Sequence, residues 1–167
     1  DKMSSLINNL ENMVEARTEE LNKTNEILAD SKKQLQVILD STAEAIYGID
    51  LEGNCIFCNA SCLKLLKYSS QEELLGKNMH WQIHHSKIDG TQFPIEECNI
   101  SQSLGKGEGV YGYGELFWRS DGTSFFVEYR SYPRYKDDRI VGAVVTFMDI
   151  TERIKDEEEI KYLNCHD

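Results

Sequence analysis

Apolar residues recur every seven positions through the first forty residues: Ile7, Val14, Leu21, Leu28 and Leu35. With these as a positions, the d positions read Met3, Leu10, Arg17, Thr24, Ser31 and Ile38. A hydrophobic period of about 3.5 residues predicts a left-handed coiled coil. The polar d residues in its middle weaken the seam and help to set its register. Beyond residue 41 the period shortens. Ala45–Asp50, a turn at Leu51-Glu52-Gly53-Asn54 and Cys55–Cys58 predict a hairpin. Asn59 stands where an N-cap belongs, before the amphipathic run Ala60–Tyr68. Ser70 and Glu73 offer a capping box for a short helix ending at Gly76, residues 77–93 are polar and irregular, and Pro94 suits the first position of a helix reaching about Leu104. Three strands follow, near Val110–Arg119, Ser124–Arg134 and Arg139–Ile150, with Asp121-Gly122 as the turn between the first two. Two strands, a run of helices and three more strands predict an α+β fold with an antiparallel sheet.

Composition sharpens this partition. Residues 1–40 hold no Gly, Pro or aromatic residue, whereas all 11 glycines, both prolines and 15 of the 16 aromatic residues lie between 41 and 150. Residues 1–40 thus form a signalling or dimerisation helix, 41–150 a small domain, and 151–167 an acidic helical linker. The chain carries 29 acidic and 18 basic residues, a formal charge of −11 that repels phosphate backbones and argues against a nucleic-acid partner. It has no basic cluster for a membrane surface, no secretory signal and no apolar run long enough to span a bilayer, so no direct membrane contact is expected. Five irregularly spaced cysteines suggest reduced thiols in the cytoplasm rather than a disulfide framework.

The order of elements and the local wording resemble a PAS domain, the small sensory module of bacterial signalling proteins. The residues that carry the resemblance are Phe57-Cys58-Asn59-Ala60, Tyr68-Ser69-Ser70-Gln71-Glu72-Glu73-Leu74-Leu75-Gly76-Lys77, Phe117-Trp118-Arg119-Ser120-Asp121-Gly122-Thr123, and Val141-Gly142-Ala143-Val144-Val145 running to Asp149-Ile150-Thr151-Glu152-Arg153. The resemblance implies a five-stranded antiparallel sheet with helices on one face, preceded by the coiled-coil helix and followed by the linker helix. Val14–Leu21 is similar to the signalling helix that leads into such domains, and Glu159–Asp167, ending in Cys165-His166-Asp167, resembles the linker into a GGDEF (diguanylate cyclase) output domain. This implies a module without catalytic residues that forms a homodimer through residues 1–40 and relays a signal to an output domain in cis. Its upstream parent could be membrane-anchored. The resemblance also implies a small-molecule pocket lined by Met79, His80, Trp81, Ile83, His84 and His85 from the helical side and by Val144, Thr146 and Met148 from the sheet. The exit Asp149-Ile150-Thr151 is the expected transmission joint, Asp149 capping the last helix and the Thr151 hydroxyl bonding back to the sheet.

No cofactor is required by these residues, and several are weighed. Haem could use a histidine of the 80–85 region, though Cys-x-x-Cys-His is absent. Met79 stands where light-sensing relatives place the cysteine of the flavin adduct, and a thioether cannot supply that thiol. Cys55, Cys58 and Cys62 have a spacing that can hold zinc or an iron–sulfur cluster, but residues i and i+3 of a regular strand diverge, which leaves Cys58, Cys62 and Cys98 as the candidate metal set. The alternative function is therefore a haem or iron–sulfur redox or gas sensor. Gly107-Glu108-Gly109-Val110-Tyr111-Gly112 matches Gly-x-Gly-x-x-Gly but opens a strand, not the helix that dinucleotide binding needs.

Overall fold

The computed structural model describes residues 1–165; His166 and Asp167, the end of the linker motif, lie outside the described residues. The chain divides into two units after Ser41. The first is one helix, α1 (Lys2–Ser41), with no buried residue. Ile7, Val14, Leu21, Leu28 and Leu35 are all exposed along it. No helix among the described residues is long and apolar enough to cross a membrane.

In the second unit, β1 (Ala45–Asp50) and β2 (Cys55–Cys58) are followed by α2 (Ala60–Leu66), α3 (Met79–Ile83) and α4 (Asn99–Ser103), then β3 (Val110–Trp118), β4 (Ser124–Lys136), β5 (Arg139–Asp149) and α5 (Thr151–Cys165). The strands form one antiparallel sheet in the order β2-β1-β5-β4-β3. Asn59 caps α2 as expected, its Oδ1 accepting the Cys62 N–H at 3.0 Å and also the Ile46 N–H at 2.9 Å, which ties the helix start to β1. The expected capping box and helix up to Gly76 are not formed: Gln71–Glu73 is a 3₁₀ turn, Ser70 makes no side-chain cap, and the Glu73 carboxylate accepts the N–H of Ser69, the residue before the cap. The single helix expected from Pro94 to Leu104 is a 3₁₀ turn (Ile95–Glu97) followed by α4. Within the polar stretch 77–93 stands α3, started by the Asn78 side chain, which accepts the Trp81 N–H.

Tyr47, Ile49, Phe117, Phe125, Val127, Tyr129, Val145 and Phe147 line the core face of the sheet and meet Leu66, Leu74, Ile83 and Cys98 from the helical side. Fully burying each such side chain contributes roughly 1.5–3 kcal/mol. Two irregularities reset which residues face inward. In β2 the register jumps from Gly48↔Phe57 to Ile49↔Cys55, leaving Ile56 as an extra residue. Cys55 and Cys58 are therefore both buried, against the divergence expected of a regular strand. In β3 the register jumps from Tyr113↔Glu128 to Glu115↔Val127, with Gly114 at φ +86° as the extra residue. That conformation suits glycine, and the bulge turns the Glu115 side chain to the interior side shared by Phe117.

On β5 the alternation runs as expected with opposite parity. Ala143, Val145 and Phe147 belong to the core, while Val144 and Thr146 are half-buried and Met148 is exposed. Those three thus face away from the helices. The reason lies in pairing: Ala45, Tyr47 and Ile49 oppose Phe147, Val145 and Ala143, and these form the inward set.

Candidate functional site

Helix α3 presents one face to the core. Met79, His80, Ile83 and His84 are buried, Trp81 is exposed, and His85 is half-buried, stacked on Trp118 and hydrogen-bonded to Ser86. Positions i and i+4 lie one above the other on a helix, which brings His80 and His84 together with ring centroids 5.5 Å apart. Cys98, at the entry to α4, is buried against them, its Sγ 3.5 Å from His84 Nδ1. Among the described residues, His80, His84 and Cys98 are the one group of three His, Cys, Asp or Glu side chains whose ligand atoms all lie within 4.8 Å of one another. The expected set Cys58, Cys62 and Cys98 is not assembled: the Cys58 thiol is hydrogen-bonded to the free thiols of Cys55 and Cys62, and Cys98 sits with the imidazoles.

The outer edges of both rings are held. His80 Nε2 lies 2.8 Å from the Phe93 carbonyl, which can only accept, so Nε2 carries the proton and Nδ1 presents a lone pair. That Nδ1 is buried with no hydrogen-bond partner. His84 Nε2 lies 3.4 Å from Glu115 Oε1, the carboxylate that the Gly114 bulge turns inward. Gly112 makes the room: a Cβ there would strike the Tyr129 ring and stand 2.6 Å from Glu115 Oε2. Tyr129 Oη is likewise buried without a partner. Burial opposes charge on His84, yet its bonds to Cys98 and Glu115 outweigh burial and push it up. Burial also opposes a thiolate at Cys98, but the facing imidazoles of His80 and His84 and the His84 charge bring the thiol well down. His85 goes the other way, lowered by burial and by His80 and His84. Glu115 falls outside the residues expected from sequence; the signal for it is the interruption of strand alternation at Gly114-Glu115.

The space between sheet and helices is largely filled. Phe117 packs on His84 and stacks on Tyr129, and Phe147 meets Phe117 edge-on. A cavity of about 190 Å³ opens beside His84, bordered by Phe93, Gly114, Glu115 and Phe126; sites for drug-sized ligands start at about 300 Å³. A larger open groove, about 600 Å³, runs between α2 and the end of β5, where Lys64, Leu65, Arg119, Met148 and Asp149 line it.

That groove borders the exit from the sheet. Asp149 Oδ1 accepts both the Thr151 N–H, at 2.9 Å, and the Thr151 hydroxyl, at 2.6 Å. The Thr151 Oγ1 in turn accepts the Phe126 N–H of β4 at 3.1 Å, and Ile150, fully buried, donates its N–H to the Phe126 carbonyl. Asp149 Oδ2 meets Arg119 at 3.1 Å. The threonine link to the sheet expected from sequence is present, while the Asp149 carboxylate takes the first helical N–H from one residue before the N-cap position, which Ile150 occupies.

Comparison with known proteins agrees with this architecture. A 149-residue stretch, 89% of the chain, is 30% identical to the probable diguanylate cyclase DgcE of Escherichia coli K12, of whose length it spans 13%. Among solved structures the chain is similar to an RNA-binding light-oxygen-voltage receptor (TM-score 0.65, 21% identity, 80% of this chain and 37% of that one). It is also similar to the PAS domain of an HTR-like protein from Haloarcula marismortui (TM-score 0.59, 18% identity, 77% and 99%) and to a PAS domain from Colwellia psychrerythraea (TM-score 0.58, 23% identity, 72% and 97%). At these identities the structural likenesses speak for the fold alone. The family description of the PAS fold matches residues 33–150, most of the chain and all five strands, and on that match the chain belongs to the PAS family of sensory domains.

Proposed function

We propose that this PAS domain relays a signal to an output domain that follows α5, and that the output is a diguanylate cyclase of the GGDEF class. The observation that carries the relay is the exit. One carboxylate, Asp149, grips the start of α5 and Arg119, the residue just past β3, at once, while Thr151 and Ile150 bond to the neighbouring strand β4. A shift of β4 or β3 against β5 therefore changes how α5 is aimed. The diguanylate cyclase relative supports the class of output. The exposed heptad seam of α1 supports a homodimer built through residues 1–40, in the cytoplasm where the five free thiols stay reduced.

The test joins this chain to a diguanylate cyclase domain. Asp149→Ala should uncouple cyclase output from the state of the sensory domain while the domain stays folded. A variant that only melts earlier, by the roughly 1 kcal/mol of an ordinary helix cap, with regulation intact, would make Asp149 a structural residue. Removal of residues 1–38 should leave a folded monomer by sedimentation, and an unchanged dimer mass would refute the seam.

A further inference from the structure

We propose that His80, His84 and Cys98 form a binding site for one transition-metal ion, and that the ion best matched to the donors is Zn²⁺. Two imidazole nitrogens and a thiolate are a borderline-soft set of the kind zinc takes, with a fourth position left open. A zinc ion bonded tetrahedrally to nitrogen and sulfur holds those atoms about 3.3–3.6 Å apart. Cys98 Sγ and His84 Nδ1 already stand 3.5 Å apart, and all three ligand atoms fall within 4.8 Å, a spread that side-chain rotation can close.

The surroundings point the same way. A metal-binding histidine characteristically donates its other ring N–H to a carbonyl or carboxylate, which fixes the tautomer and aims the free nitrogen. His80 does this to the Phe93 carbonyl, and His84 turns its Nε2 toward Glu115 Oε1 at 3.4 Å, so both Nδ1 atoms are presented toward the sulfur. A plain hydrogen-bonded network accounts for Cys98 and His84 but leaves His80 Nδ1 orphaned in an interior only 6% exposed. Such an atom is costly to bury unpaired, and a cation satisfies it. The cavity beside His84 leaves space for a water or a small exogenous ligand. The ion would bind within the same sensory domain that the relay reading invokes, clasping α3 to the start of α4. Its test uses no output domain, so the site and the relay stand or fall separately.

The experiment uses the 167-residue chain carrying Cys165→Ser, which removes the exposed thiol, reduced and stripped with a chelator. Titration with Zn²⁺ against a chromophoric chelator should show one equivalent bound. Co²⁺ in its place should give tetrahedral visible bands together with a sulfur-to-metal charge-transfer band. His80→Ala and Cys98→Ala should each weaken binding at least about 100-fold, and Glu115→Gln, which leaves all three ligands in place, about 10–100-fold. If the alanine variants fail to fold, the Co²⁺ spectrum of the unmutated site and Glu115→Gln decide alone. Absence of a stoichiometric ion, a Co²⁺ spectrum without sulfur, or undiminished binding in folded Cys98→Ala would overturn the site.

Discussion

The core holds two groups of cysteine of similar burial and opposite chemistry. Cys55, Cys58 and Cys62 face one another where β2 runs into α2; the hydrogen bonds to Cys58, with burial added, hold the Cys55 and Cys62 thiols above their ordinary range. Cys98 is buried to the same degree, yet its neighbours are two imidazoles, and its thiol is drawn down. Burial favours the neutral thiol in both places, so the difference is made by the partners alone. Both groups also depend on a bulge. Ile56 puts Cys55 and Cys58 on one side, and Gly114 delivers the carboxylate that holds His84. One fold thereby keeps an inert apolar thiol cluster and a polar, donor-rich one within a single core.

The largest way to break the contrast is to remove the ring that walls the polar group. Phe117→Ala deletes the aromatic side chain packed on His84 and Tyr129 and should cost about 3–5 kcal/mol. Thiol labelling read by mass spectrometry in native buffer should then find Cys98 much more reactive, with Cys58 and Cys62 still protected. Equal exposure of all the thiols would show one undivided core.

A paired serine scan sharpens it. Cys58→Ser places a hydroxyl among thiols, which accept hydrogen bonds weakly, and should cost about 1–3 kcal/mol. Cys98→Ser gives the hydroxyl an imidazole acceptor at His84 Nδ1 or His80 Nδ1, and in chelator-treated protein should stay within about 1 kcal/mol of the parent. Urea unfolding of both variants decides; the reverse order would mean that the imidazoles do not face Cys98 in solution.

The strands of this fold were legible from residue pattern because alternation and turn residues agree: β1 and β2 match their expected bounds, and β3 to β5 differ by a residue or two at their ends. What escaped were features in which a single residue overrides a period. Ile56 and Gly114 shift parity, and alternation read across them gives the wrong face. Helix α3 is five residues, too short for a periodic signal, and its trace in the sequence is the cap Asn78 with Met79 and Ile83 four apart. Alternation alone places Val144, Thr146 and Met148 inward, one position out, because β5 is apolar on both faces and only its pairing with Ala45, Tyr47 and Ile49 identifies the inner one. His80, His84 and Cys98 were each visible as chemistry-bearing residues. Their meeting was not, since it depends on the chain between 85 and 97 returning Cys98 to α3, and that stretch carries no regular period.

The smallest expected effect is the share of the alkaline pH dependence that the thiol cluster contributes. In the unfolded chain Cys55 and Cys62 titrate near 8.5, the ordinary value. In the folded chain they are raised, chiefly by the bonds to Cys58 and then by burial. A group raised on folding contributes fully below its unfolded value and loses that contribution as pH rises, because the unfolded state gives up the proton first. Stability should therefore fall from about pH 8.5 upward, by about 0.8 kcal/mol per thiol at pH 9. The buried Tyr47 and Tyr129, also raised, add the same sign only near pH 10 and above. The polar group adds two opposed contributions: His84, raised to about 9, loses its contribution from its unfolded value of about 6.5 up to about pH 9, whereas Cys98, drawn down to about 5, gains until its unfolded value of about 8.5 is passed. Urea titrations at pH 7.5, 8.5 and 9.5 check this: Cys62→Ala should flatten the fall between pH 8.5 and 9.5 more than Cys98→Ser does. A fall that Cys62→Ala does not change would show that these thiols already ionise in the folded protein, and the two groups of cysteine would then be chemically alike.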